Sequence, residues 1–323
     1  MFSIVSRPSW HLAERHATPE LLHGNRRDFL KALGAGGLAL SGMSWASAQE
    51  PAPAAAEANP LPPHERNPKF ADAGRVMTDE KYPLMFNNFY EFSTRKDGPA
   101  KLAKGFSLDP YSLEVDGLVE KPLKFDLDQI EKLGYEERVC RFRCVEAWAM
   151  TVPWAGVPLA KLIAQCGVKA EAKFVAFQTF HDPKRAPGQK DTAFTWPYQE
   201  GLRIDEALNE MAFVATGLYG KRLAPQSGTP LRIVLPWKYG FKGPKSVVKM
   251  TFTDKQPATM WNSAIPAEYK FYSNVDPEVP HPRWSQASEK LLADVVERIP
   301  TQWYNGYGEQ VAALYANMPR ELY

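Results

Sequence analysis

Alternating apolar and polar positions mark the first clear elements of the chain. Leu113-Glu-Val-Asp-Gly-Leu-Val119 and Leu123-Lys-Phe-Asp-Leu127 alternate with a period of two around Glu120-Lys121-Pro122. This predicts an antiparallel strand pair with one buried face. Asp126 stands where an N-cap belongs and opens a short helix to Leu133. Further strands are predicted over Tyr135–Cys144, Phe174–Phe180, Ala212–Leu218, Leu231–Trp237 and Ser246–Thr253. Short helices are predicted over Pro158–Cys166, closed by Gly167, and over Asp205–Met211. Ser285–Ile299 reads as the one long amphipathic helix, with Leu291, Leu292, Val295, Val296 and Ile299 on one side. Strands and helices mingle at short spacings with no βαβ rhythm and no internal repeat. An α+β class is therefore expected, in one large domain or two small ones.

The first 48 residues break this pattern. Arg26-Arg27-Asp28-Phe29-Leu30-Lys31 precedes an uncharged, Gly- and Ala-rich stretch from Ala32 to Trp45, and Ala46-Ser47-Ala48 supplies small residues for cleavage. The apolar stretch is about 14 residues, short of the roughly 20 that span a bilayer. Residues 1–48 are read as a twin-arginine export signal cleaved near Ala48, which implies a periplasmic protein folded around a cofactor before export. Residues 49–68 carry Pro51, Pro53, Pro60, Pro62, Pro63 and Pro68 among alanines, the composition of an extended tether. The globular pattern occupies residues 69–323. No other segment approaches spanning length, so the mature chain is not expected to cross a membrane itself.

Charge narrows the partners. Of 39 basic and 37 acidic side chains in 323 residues, the leader takes five and three, leaving 34 of each sign. A body this balanced offers no basic field for nucleic acid. Three cysteines (Cys140, Cys144 and Cys166) are too few for a disulfide scaffold. Cys140 and Cys144 on one strand would stand roughly 13 Å apart, too far to bridge.

The chemistry has few places to reside. Outside the leader there are three histidines, His64, His181 and His281, with no zinc or c-type haem spacing among them. Nucleophile-elbow and phosphate-loop motifs are absent, and Gly34, Gly36 and Gly37 lie in the leader. Three segments stand out. Arg141-Phe-Arg-Cys144-Val-Glu146-Ala-Trp148 ends a strand in a thiol after two arginines; nearby cations favour a thiolate, the form a soft metal needs, whereas an inert buried cysteine fits as well. Arg232 to Ser246 gathers one arginine, three lysines and two glycines at a strand exit, suited to a phosphate-bearing ligand or to a solvated basic turn. Phe86-Asn87-Asn88-Phe89-Tyr90-Glu91-Phe92 sets amides and a carboxylate among rings, able to read a heteroaromatic ligand or to cap a turn over an aromatic core.

Taken together, Asn-Asn-Phe-Tyr-Glu-Phe, Arg-Cys-Val-Glu-Ala-Trp, Pro-Trp-Lys-Tyr-Gly-Phe-Lys-Gly, His281-Pro-Arg-Trp-Ser-Gln-Ala287 and Asn305-Gly-Tyr, in this order, resemble the family of periplasmic molybdopterin-dependent protein-methionine-sulfoxide reductase catalytic subunits. That family belongs to the wider sulfite-oxidase fold class. The resemblance covers essentially the whole chain after the tether and implies a mixed, sheet-rich molybdopterin-binding fold in a single large domain. It implies one molybdenum-molybdopterin per chain, with Cys144 as the metal ligand and catalytic centre. Asn87, Tyr90, Glu91, Thr179, Ser227, Arg232, Gly243, Pro244 and Lys245 are implied as the pterin contacts. Cys140 and Cys166 remain structural. One departure is visible: the family commonly has Pro-Gln-Asn-Gly where this chain has Pro225-Gln226-Ser227-Gly228. Serine is shorter, so that contact is expected to be lost, bridged by water or made by the backbone.

The implied activity is reduction of methionine sulfoxide in oxidised periplasmic proteins, a repair reaction. Its electrons would come from a haem-bearing membrane partner that draws on quinol. The alternatives are a sulfite-oxidase-like enzyme acting on a small oxyanion, or a reductase of small S- or N-oxides. The sibling oxidases follow the ligand cysteine with a Gly-Asn-Arg type of sequence; here Val-Glu-Ala-Trp follows, and a carboxylate beside an indole suits a neutral sulfoxide better than an anion.

Overall fold

The computed structural model describes residues 60–319. The expected export signal, its cleavage point near Ala48 and the first part of the tether lie outside the described residues. From Pro60 the chain runs extended against the domain. The Pro60 carbonyl accepts a hydrogen bond from Arg222, and Arg66 bridges to Glu137 at 2.7 Å.

Twelve strands follow: β1 Leu113–Gly117, β2 Leu123–Phe125, β3 Glu136–Arg143, β4 Trp148–Pro158, β5 Phe174–Thr179, β6 Gln199–Arg203, β7 Phe213–Leu218, β8 Lys221–Arg222, β9 Arg232–Val234, β10 Val247–Thr253, β11 Ser288–Leu291 and β12 Arg298–Pro300. Five of them form a mixed sheet in the order β2-β1-β10-β5-β6, with β1 parallel to β10 and the remaining pairs antiparallel. The other seven form a sheet whose spine is β4. Strand β3 pairs along one edge of β4, while β11 at its start and β7 at its end share the other edge. Short helices fill the connections, and among the described residues none is long and apolar enough to cross a membrane. The sheet-rich α+β class read from the sequence is the observed one.

The main core draws on both sheets. Val115, Val175, Phe177, Met250 and Phe252 of the five-stranded sheet share a cluster with Val157, Val214 and Ile233 of the seven-stranded one. Local signals act as expected where they are strong. Asp126 caps Leu127–Glu131 with a reciprocal capping box to Gln129. The β1–β2 pair forms in the alternating register.

Two of the departures from the sequence reading matter most. Strand β4 was not legible because nearly every side chain along it is buried, so no alternation shows, and Pro153 interrupts the run. Ser285–Ile299 is not a helix but the β11–β12 hairpin. Its backbone partners come from the free edge of β4: Lys290 N donates to Ala147 O, and Leu292 N to Ala149 O. Glu289, fully buried, pairs with Arg143 at 2.8 Å, whereas Val295 and Val296 of the supposed apolar stripe are 84% and 60% exposed. Tertiary pairing has overridden a helical spacing of apolar residues.

Candidate active site

The β3–β4 hairpin turns through Cys144-Val145-Glu146-Ala147. Cys144 N donates to Trp148 O and Ala147 N to Cys144 O, while Ala147 takes φ 64°. The thiol at this tip faces an open cleft, and Asn87, Tyr90, Glu91, Ser227, Arg232, Gly243, Pro244 and Lys245 line the same cleft. Thr179, the remaining expected contact, stands one layer behind at the end of β5, where its hydroxyl donates to Glu91 Oε1 at 3.1 Å.

Each wall has a local reason. Helix Lys81–Met85 ends at the cleft, and Asn87 Nδ2 caps it by donating to the carbonyls of Pro83 and Leu84 at 3.0 and 3.2 Å. Gly243 passes so close to β9 that a Cβ there would meet Ile233 O at 2.4 Å. Gly228 follows Ser227 with φ 101°, a turn that returns the chain into β9 and Arg232.

The electrostatics divide the cleft in two. At the thiol end, Glu146 Oε2 lies 3.6 Å from Cys144 Sγ. Burial pushes the Glu146 carboxyl up, but donors from Asn88 (3.0 Å), Lys96 (2.9 Å) and Trp148 (3.1 Å) outweigh it and hold the group below the ordinary carboxylate value. Cys144 is 5% exposed, and burial followed by the neighbouring Glu146 charge pushes its thiol up to about 12. The sequence argument that Arg141 and Arg143 would favour the thiolate is outweighed: Arg143 pulls the thiol down, but less than burial and Glu146 push it up. Arg141 reaches to Ala73 O and Gln302, and Arg143 is spent on Glu289. A metal at Cys144 must itself displace the proton. Among the described residues no group of three His, Cys, Asp or Glu side chains gathers as a metal site.

The other end is cationic. Of the basic residues between Arg232 and Ser246, Lys238 and Lys242 are buried in ion pairs with Glu206 (2.6 Å) and Glu200 (2.9 Å). Arg232 and Lys245 face the cleft, and among the described residues neither has a carboxylate within ion-pair distance. Arg232 lies 4.8 Å over the Trp154 ring, donates to Ser227 O at 3.2 Å and leaves its Nε unpartnered; burial pulls its guanidinium down to about 10. Lys245 donates to the carbonyls of Asn88 and Gln226, both at 3.0 Å, and burial together with Arg232 drives it well below the ordinary lysine value. Two desolvated cations side by side call for an anion between them. Ser227 Oγ and Asn88 Oδ1 are buried in the same walls without partners. Between the two ends Glu91 is pushed up by burial to about 7, although Thr179 and Lys245 pull against it.

Several lining residues escaped the sequence reading. Trp154, Tyr198, Phe241, Trp261 and Tyr269 add rings to the cleft, and Trp261 meets Tyr90 and Tyr269 at 5.1 and 5.0 Å between ring centroids. Nothing local in the sequence distinguishes these aromatics from core residues. Asn88 and Lys96 could have been suspected only as partners for Glu146.

Comparison with known proteins gives the arrangement a family. Residues 100–261 match the profile described as oxidoreductase molybdopterin binding domain. The protein-methionine-sulfoxide reductase catalytic subunit MsrP of Xanthomonas campestris pv. campestris is 48% identical over 275 residues, covering 81% of this chain and 85% of that protein. The protein of the same description from Xanthomonas axonopodis pv. citri is 47% identical with the same coverage. Among solved structures, the sulfane dehydrogenase SoxCD from Paracoccus pantotrophus is similar with a TM-score of 0.43 and 18% identity. That likeness covers 77% of this chain and 66% of the SoxCD chain, and it is too distant to bear on the site. With 48% identity across 81% of its length and the domain profile over its middle, the chain belongs to the family of protein-methionine-sulfoxide reductase catalytic subunits and carries their oxidoreductase molybdopterin-binding domain.

Proposed function

We propose that this chain reduces methionine sulfoxide to methionine in oxidised proteins of the periplasm, using one molybdenum-molybdopterin held in the cleft. The observation that carries the reading is the pairing of a single soft donor, Cys144, with two desolvated cations, Arg232 and Lys245, that have no carboxylate at ion-pair distance among the described residues, in one cleft. These residues fit the group. Cys144 Sγ would ligate the metal and serve as the catalytic centre. Arg232 and Lys245 would meet the phosphate, with Gly243 and Pro244 giving its oxygens close backbone. Asn87, Tyr90, Glu91 and Ser227 would meet the ring system, with Thr179 holding the Glu91 carboxylate from behind and the unpartnered Ser227 hydroxyl free to take the place of the longer asparagine.

When bound, molybdenum supplies the two-electron oxygen-atom transfer by which sulfoxide, two electrons and two protons become thioether and water. The chain supplies selection. Glu146, held ionised beside Cys144, repels a sulfite-like anion, and Lys96, the cation nearest it, is already paired with it. The rings of Tyr90, Trp261 and Tyr269 offer apolar and sulfur-compatible surface to a methyl thioether. This favours a neutral sulfoxide over the small-oxyanion alternative. Residues 1–48 are read as the leader that exports the folded protein, and a haem-bearing membrane subunit oxidising quinol as the electron source.

The deciding experiment is elemental analysis of the purified protein, with assays of methionine sulfoxide in a peptide and of sulfite using an artificial electron donor. One molybdenum per chain, turnover of the sulfoxide and none of sulfite are expected. Cys144→Ser should fold normally and lose turnover by at least a factor of about 1,000, as removal of a group central to the chemistry does. Full activity in that variant, or sulfite as the better substrate, would overturn the reading.

A further inference from the structure

The string from His281 to Ala287 does not line the cleft, yet it grips the turn that carries the thiol. Trp284 Nε1 and Gln286 Nε2 both donate to the carbonyl oxygen of Val145, each at 2.7 Å, filling both of its lone pairs. Arg143 Nη2 donates to Gln286 Oε1 at 2.8 Å. A guanidinium can only donate, so this contact decides which end of the amide faces Val145. The same arginine donates to Glu289 and to the carbonyl of Cys144. Lys290 N closes the far side of the turn on Ala147 O at 2.9 Å. The His281 ring stacks on Trp284 at 3.8 Å and fixes the indole plane. Ala147 meanwhile holds φ 64°, a conformation that a side-chain-bearing residue keeps only with outside support.

We infer that Trp284 and Gln286 are positioning residues for the reaction: by tying down Val145 O they fix the direction of Cys144 Sγ into the cleft. This rests on the proposed role of Cys144. Groups that orient a metal ligand act on the metal through it, and their loss typically costs about 10- to 100-fold in activity or metal affinity.

The test uses the full-length chain with Trp284→Phe, which keeps the ring over His281 and deletes one donor, and with Gln286→Glu, which keeps an acceptor for Arg143 and deletes the other. In protein produced without molybdenum, iodoacetamide labelling of Cys144 is followed by mass spectrometry with Cys140 as internal reference. In loaded protein, the thiolate-to-metal absorption band, kcat and KM are measured. Both variants should label about tenfold faster at Cys144 alone, shift the band, and lower kcat about 10- to 100-fold with KM little changed. Labelling that rises equally at Cys140 means general loosening and overturns the inference, as does an unmoved band with wild-type kcat. Wild-type protein without molybdenum, or a band that survives Cys144→Ser, sinks the role of Cys144 instead, and the labelling result separates that failure from failure of the grip on the turn.

Discussion

Arg232 and Lys245 show how a binding residue differs from a structural one of the same type. Lys238 and Lys242 lie within a few residues of them and are more deeply buried still, but each has a carboxylate. The chain pattern could not separate the four, because the partners Glu206 and Glu200 arrive from the distant strand β6 and the helix after it. What the pattern did carry was the concentration of charge and glycine at one strand exit. Arg232→Met should weaken retention of an anionic group by about 2 kcal/mol, roughly 30-fold, the worth of a charge-assisted hydrogen bond. Bound phosphorus and molybdenum per chain after dialysis would check it. From its own segment Cys144 was legible only as an unusual thiol, and its role as metal ligand came from the resemblance. Its two preceding arginines suggested an activated thiolate, and they are committed to Ala73, Gln302 and Glu289. Sequence neighbours on a strand point to opposite faces, so adjacency to a charge was a poor guide to its field.

At the scale of elements, alternation exposed the strands with one wet face, and the capping box exposed the helix after Asp126. Elements whose partners bury both faces left no such trace, and β4 is the chief of these. The β11–β12 hairpin was concealed differently, by apolar residues that fall at helical spacing although two of the five face solvent. Glu289 is the residue that decides it, being an acid buried against Arg143 with Arg75 on its other oxygen. Glu289→Gln leaves two arginines short of a countercharge and should destabilise by about 3–5 kcal/mol. Val295→Asp should stay within about 0.5 kcal/mol of the parent chain, as exposed substitutions do. Urea unfolding of both variants measures the contrast, and a large loss at Val295 would restore the helical reading.

The whole molecule carries the electrostatic cost of its two desolvated cations as a dependence on pH. Lys245 sits well below its ordinary 10.5 when folded, so between the two values the unfolded chain binds more protons than the folded one. Its contribution to stability is complete above 10.5 and is lost as pH falls through the lowered folded value; Arg232, lowered to about 10, acts with the same sign. Metal-free Lys245→Met should therefore be more stable than the metal-free parent near neutrality, with the gap closing toward pH 10.5. Urea midpoints across that range test this, and a gap independent of pH would refute it. The cleft also gathers its walls from Pro83 to Tyr269, segments far apart along the chain. A ligand seated there works as a rivet through distant stretches of polypeptide. Its removal should be felt far from the cleft, as faster proteolytic nicking across the domain, because every wall it fastens belongs to a different part of the chain.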